Sequence, residues 1–360
     1  MIYKLILTLR NLRYRSGKHS VQAEVPTVCI GNITVGGTGK TPHTELTLSR
    51  LREVSRFCAP AVLSRGYKRR SRGFQQVMPD STALFAGDEP LQVKRRFPDV
   101  TVAVCKDRIE GCGILVHPER AASLKKCVSP EFQPADVIVL DDAFQYRRLR
   151  CSLNVVLVDY ARPVTKDSLL PGGRLRDLKS RLYDADVIIV SKCPYELTEE
   201  EKADYAALLG FGSYDPASCL AVRRGRSIPL LFSGLQYGRP EPVFPGADPR
   251  YTYSAKLVLL TGIADDTPLR SHLSDGHKIV GHLRYSDHHR YTRADSRTIA
   301  SQMRRNPTAA FITTEKDAQR LRDLKKLPDG LAERLFYIPV TACFFSDAES
   351  EVFDQYLHRL

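Results

Sequence analysis

The chain has 360 residues, 42% of them hydrophobic and 26% charged. Those proportions are ordinary for a soluble globular protein and exclude a disordered or collagen-like chain. At ~150 residues per domain the length suits two compact domains, and no stretch reaches the ~20 uninterrupted apolar residues of a spanning helix. Lys and Arg number 54 against 41 Asp and Glu, a net charge of +13 that points to an anionic partner.

Nine cysteines are present, none in a Cys-x-x-Cys spacing. The pattern suits neither a zinc knuckle nor a redox dithiol, so a reduced protein of the cytosolic side is expected. Polar residues interrupt the N-terminal stretch and no small-residue cleavage site follows, which argues against a secretory signal. Within that stretch Ile2, Leu5, Ile6, Leu9 and Leu12 fall on one helical face. Lys4, Arg10, Arg13, Arg15 and Lys18 surround them, and no acidic residue precedes Glu24. An interfacial helix on an anionic membrane is expected over residues 1–20; an ordinary amphipathic helix packed on the core is the alternative.

Short β-branched runs then alternate with helical-period stretches. Strands are expected at 27–33, 60–64, 100–104, 137–141, 154–159 and 187–191, with helices at 41–51, 89–97 and 107–116. This rhythm predicts a mainly parallel sheet covered on both faces, a core spanning 21–210. A Gly-, Pro-, Ser- and Tyr-rich region, 211–255, reads as a linker. A second series, with strands at 256–260, 278–283, 309–313 and 335–340, predicts another α/β lobe over 256–360.

Directly after the first strand come Thr34, Val35, Gly36, Gly37, Thr38, Gly39, Lys40 and Thr41. Glycines let backbone N–H groups curl around phosphates, and the following helix N-terminus adds partial positive charge. Lys40 is placed to reach the β and γ phosphates, and Thr41 to set its hydroxyl on Mg²⁺. Thr34 stands where the strict pattern has its first glycine, but the Gly-Lys-Thr core is intact. The apolar strand 137–140 ends in Asp141 and Asp142, carboxylates at the edge where open α/β sheets bind ligands and where P-loop proteins hold Mg²⁺. An NTP-using enzyme is the class these residues define. The Ser191-Lys192-Cys193-Pro194 segment lacks the aspartate of a guanine-recognition motif, which disfavours a GTPase.

Seven segments in order give the chain a resemblance to the tetraacyldisaccharide 4′-kinases. They are Gly-Asn-Ile-Thr-Val-Gly-Gly-Thr-Gly-Lys-Thr-Pro (31–42), Leu-Ser-Arg-Gly-Tyr (63–67), Gly-Asp-Glu-Pro (87–90), Asp-Asp-Ala-Phe-Gln (141–145), Leu-Leu-Pro-Gly-Gly-Arg-Leu-Arg (169–176), Ser-Asp-His-His-Arg-Tyr (286–291) and Thr-Thr-Glu-Lys-Asp-Ala (313–318). Ala143 stands where that family usually has Gly. The resemblance implies ATP- and Mg²⁺-dependent phosphorylation of the 4′-hydroxyl of a tetraacylated glucosamine disaccharide 1-phosphate, a lipid A precursor, at the cytoplasmic face of the inner membrane. It also implies a fold: a P-loop NTPase-type α/β/α core and a smaller α/β/α lobe, joined by a two-stranded linker.

Asp88 alone reads as a helix N-cap; the resemblance makes it the catalytic base, paired across the cleft with His288. Glu89 is a further metal or supporting carboxylate. Arg65 reads either as a contact to phosphate or substrate, or as a brace for the Lys68-Arg69-Arg70 loop. Competing classes are a P-loop kinase for a soluble small molecule and a nucleic-acid-stimulated ATPase. Neither explains Gly-Asp-Glu-Pro or Asp-His-His, and no nucleic-acid partner is expected.

Overall fold

The computed structural model describes residues 2–15, 17–124 and 132–360. Its centre is an eleven-stranded sheet in which 226–237, 187–191, 153–159, 27–32, 137–141, 60–64 and 101–104 run parallel in that spatial order. These strands are buried on both faces, which is why they read as unbroken apolar runs. Along Val137–Asp141, Ile138 and Leu140 enter one core layer, while Val137 and Val139 enter the other. Helices Lys40–Glu53, Asp88–Arg96 and Asp347–His358 cover one face, and Arg108–Val116 and Glu199–Leu208 the other. A second, five-stranded sheet, in the order 241–242, 335–338, 310–314, 256–261 and 278–284, has its own apolar layer on each face. The fold is α/β throughout.

The expected boundaries move in two places. The 211–255 region is not only a linker: 213–215, 220–223 and 226–237 are strands of the large sheet. Pro229 and Gly234 interrupt the apolar run there and disguise a strand whose middle is fully buried. The expected single strand 335–340 is two strands separated by Pro339. Leu335–Ile338 belongs to the small sheet, whereas Val340–Phe344 pairs antiparallel with 233–237 of the large one. The lobe expected over 256–360 therefore returns its last residues to the core. The chain crosses between sheets twice, side by side, with Gly238 N–H donating to the Pro339 carbonyl at 2.9 Å.

Polar contacts join the lobes, in keeping with the polar character of inter-domain interfaces. Arg96 lies 3.2 Å from Glu45 on the Lys40–Glu53 helix and 3.5 Å from Glu315 of the small lobe. Burial, and then the charge of Glu315, holds the Glu45 carboxyl well above its ordinary value of 4.5. The folded chain therefore binds more protons than the unfolded one above pH 4.5, and this site weakens the fold as pH rises. Glu45→Gln removes the charge; it is expected to raise the thermal midpoint at pH 8 and leave it nearly unchanged at pH 5. Thermal melts at the two pH values check this.

Candidate active site

Strand 27–32 sits between 137–141 and 153–159, with Ile30 opposite Asp141. The phosphate loop and the paired aspartates therefore emerge side by side at the carboxyl ends of neighbouring strands. Gly39 caps the following helix with φ 79°, a left-handed conformation that favours glycine. Thr38 is fully buried, and its hydroxyl accepts from Asn32 Nδ2 at 2.8 Å. Ser191 Oγ donates to the Thr38 carbonyl at 2.8 Å, and Lys192 reaches both the Gly37 carbonyl and Asp159. The segment that fails as a guanine motif is thus a brace for the phosphate loop. His43, buried and pushed down to about 4 by that burial, bridges the Gly39 carbonyl and Ser233 Oγ. The helix that carries Lys40 and Thr41 is fixed at its start.

Asp142 adopts φ 53° and lies 3.9 Å from Lys40. Arg176, from the 169–176 segment, holds both Asp142 oxygens and Asn32. Burial raises the Asp142 carboxyl, but Lys40 and Arg176 overcome it and keep the group below its usual range. Asp141 behaves in the opposite way. Burial first, then Glu89 and Asp142, push it to about 7, and its Oδ1 is buried without a hydrogen-bond partner. A divalent cation fits beside Asp141, where one buried carboxylate oxygen lacks a donor and the charges of Glu89 and Asp142 both bear on the group. Glu89 gives Oε1 to Lys316 at 2.9 Å while its charge still bears on Asp141.

Four of the quoted segments converge on Asp88. Gly87 (φ 95°) starts the Asp88–Arg96 helix, and a Cβ on it would lie 3.4 Å from Gly66 Cα. Leu-Ser-Arg-Gly-Tyr is thus packed against Gly-Asp-Glu-Pro. From the small lobe, His288 Nδ1 meets Asp88 Oδ2 at 2.9 Å, and Arg320 approaches the same oxygen at 3.4 Å. Tyr67 sets its ring edge against the His288 imidazole, with centroids 5.2 Å apart. Burial raises the Asp88 carboxyl; the His288 hydrogen bond, then Lys316 and Arg320, more than reverse this and hold it well below the usual range. Asp88 is therefore a buried, ionised carboxylate built from both lobes.

His289 instead bonds Asp295 at 3.0 Å and stacks on Tyr285, so it braces the start of the next helix. Arg65 is exposed beside buried Arg108, while Arg69 folds back on Ser71 and the Gly73 carbonyl and shapes its own loop. Sequence reasoning gave no role to Arg176, Lys192, Lys316 or Arg320. Arg176 and Lys316 lay inside quoted segments, and that was their only signal.

A phosphate loop, paired aspartates at the neighbouring strand end and a buried carboxylate completed by a second lobe define a P-loop phosphotransferase. A family model described as tetraacyldisaccharide-1-P 4′-kinase matches residues 1–359, and the chain belongs to that family. A tetraacyldisaccharide 4′-kinase of Parabacteroides distasonis is 39% identical over 342 residues, covering 91% of this chain and 84% of the relative. One of Phocaeicola vulgatus is 34% identical over 360 residues, covering 98% and 91%. The crystal structure of LpxK from Aquifex aeolicus in complex with ATP superposes with a TM-score of 0.70 at 23% identity, over 99% of this chain and 96% of that one. At that identity the likeness speaks for the fold.

Proposed function

We infer that this chain is an ATP-dependent kinase that phosphorylates the 4′-hydroxyl of a tetraacylated glucosamine disaccharide 1-phosphate, a step of lipid A biosynthesis. The observation that carries this reading is the Asp88–His288 pair, assembled from two lobes beside a phosphate loop. The backbone of 34–39 and the start of the following helix hold the nucleotide phosphates, with Lys40 neutralising the β and γ oxygens. Asp141, Asp142, Thr41 and the neighbouring Glu89 would hold Mg²⁺, which would supply charge neutralisation on the phosphates. Asp88 takes the hydroxyl proton as the sugar oxygen attacks the γ-phosphorus and ADP leaves; His288 keeps the carboxylate oriented. Arg65, exposed at the cleft with Arg108 behind it, is placed for an anionic part of the acceptor.

The acceptor is a lipid, and we place the enzyme peripherally on the anionic cytoplasmic face of the inner membrane, bound through Ile2–Arg15. No helix among the described residues is long and apolar enough to cross a membrane. The direct test is transfer of labelled γ-phosphate to a tetraacyldisaccharide 1-phosphate in mixed micelles. Native protein should yield a 4′-phosphorylated lipid, and Lys40→Ala should reduce the rate by ~10²-fold or more. Equal transfer to a deacylated, water-soluble sugar would favour a soluble-substrate kinase.

A further inference from the structure

Thr-Thr-Glu-Lys-Asp-Ala (313–318) has no part in the reaction as described so far. Its geometry gives it one. The segment ends a strand of the small sheet and starts the helix Glu315–Leu321, capped by Thr314. Lys316, on the first turn, reaches across the lobe boundary. Its Nζ lies 2.9 Å from Glu89 Oε1, on the large lobe, and 3.3 Å from His288 Nε2, on its own. Asp88, Glu89 and His288 are close enough to hold a metal ion among them. The lysine ammonium already supplies the positive charge there, touching two of the three.

We propose that Lys316 is a positioning residue for phosphoryl transfer: it fixes the proton arrangement of His288 and ties it to Glu89, so that the catalytic pair is complete only when the lobes meet. This rests on the assignment of Asp88 as the base. An ammonium offers three donors and no acceptor. The Asp287 carboxylate is 3.7 Å from Nε2, beyond hydrogen-bond reach, whereas the ammonium is at 3.3 Å; Nε2 therefore presents a lone pair, and the ring proton lies on Nδ1, where it donates to Asp88 Oδ2 at 2.9 Å. The opposite tautomer sets an N–H against the ammonium and a lone pair against the carboxylate. Both contacts are repulsive. With its proton on Nδ1, His288 is a donor to Asp88 and takes no proton from the sugar. It fixes Asp88 through Oδ2, the oxygen Arg320 also approaches, and Oδ1 is left to receive the hydroxyl proton. Glu89, the next residue to Asp88, bonds the same ammonium and so holds it in place against the imidazole.

The test compares Lys316→Met, Lys316→Arg, His288→Ala and Lys316→Met/His288→Ala by labelled-phosphate transfer, with ATP-induced thermal shifts as the check on fold and nucleotide site. Lys316→Met should lose ~10²-fold in kcat, the size of a misplaced catalytic group, with KM for ATP and the thermal shift unchanged. Lys316→Arg, still a donor-only cation, should stay within about tenfold of native. The double variant should be no slower than His288→Ala, because Lys316 acts through the imidazole. Native kcat in Lys316→Met, losses that multiply in the double variant, or loss of the ATP shift would each overturn the role of Lys316. If His288→Ala itself runs at the native rate, the Asp88–His288 assignment falls instead, so the two failures are distinct.

Discussion

Asp88→Asn is expected to slow phosphoryl transfer by ~10²–10⁴-fold, the range that positioned general bases contribute, while ATP binding survives. Asparagine keeps the side chain's shape but cannot take the hydroxyl proton. Nucleotide affinity should persist because Asp88 lies outside the loop that cradles phosphate. Arg176 holds Asp142, which lies 3.9 Å from Lys40, and the loop is braced by Ser191 and Lys192. Lys40→Ala should damage nucleotide handling and transition-state charge together. His288→Ala should cost less than Asp88→Asn, since the carboxylate remains and retains Arg320 beside it. Single-turnover transfer and calorimetric ATP titration on the same samples separate these effects. An Asp88→Asn protein that transfers phosphate at the native rate would falsify the assignment of the base.

The parallel core was legible because its strands are buried on both faces and their apolar runs stand out. The phosphate loop was legible because all its parts are contiguous. Elsewhere local breaks hide the pattern: Pro229 and Gly234 interrupt the apolar run of 226–237, and Pro339 divides another run between two sheets. The site itself is a different matter. Asp88 and His288 are 200 positions apart, and nothing in the pattern around either residue points to the other. Asp88 at a helix start reads as a cap, and only the resemblance paired it with His288. Lys192 shows how a role can go unseen in the sequence. The missing aspartate rightly sets a base-recognition motif aside, but nothing in the local pattern shows that Lys192 holds the Gly37 carbonyl. Local periodicity finds elements; the small lobe's polar groups are found only where the fold brings them.

The N-terminal helix gives the second large effect. Ile2, Leu5, Ile6, Leu9 and Leu12 are between 55% and 76% exposed, whereas Leu7 on the opposite side is buried. The apolar stripe therefore faces away from the body. What docks the helix is the other face: Tyr3 OH donates to the Arg176 carbonyl at 3.0 Å, and Arg10 and Asn11 both bond the fully buried Asp177. Arg10, expected among the cations that meet lipid, is an internal anchor instead. Lys4, Arg13 and Lys18 remain exposed beside the stripe. Truncating the helix would remove this docking together with the stripe, next to the arginine that holds Asp142. Substitution of the stripe alone is the cleaner experiment. Leu5→Ser/Ile6→Ser/Leu9→Ser removes three half-exposed aliphatic chains, each worth about 1 kcal/mol on partial burial among acyl chains. That sum corresponds to ~10²-fold in partitioning onto vesicles. The exposed cations add roughly 1 kcal/mol each near an anionic surface and lose most of it at high salt. Sedimentation with phosphatidylglycerol-containing vesicles should therefore fall steeply in the triple variant, and fall in the native protein as salt rises. Activity on lipid presented in vesicles should fall with it, while ATP affinity stays native. Unchanged vesicle binding in a folded triple variant would mean that the exposed stripe does not carry this protein to the membrane.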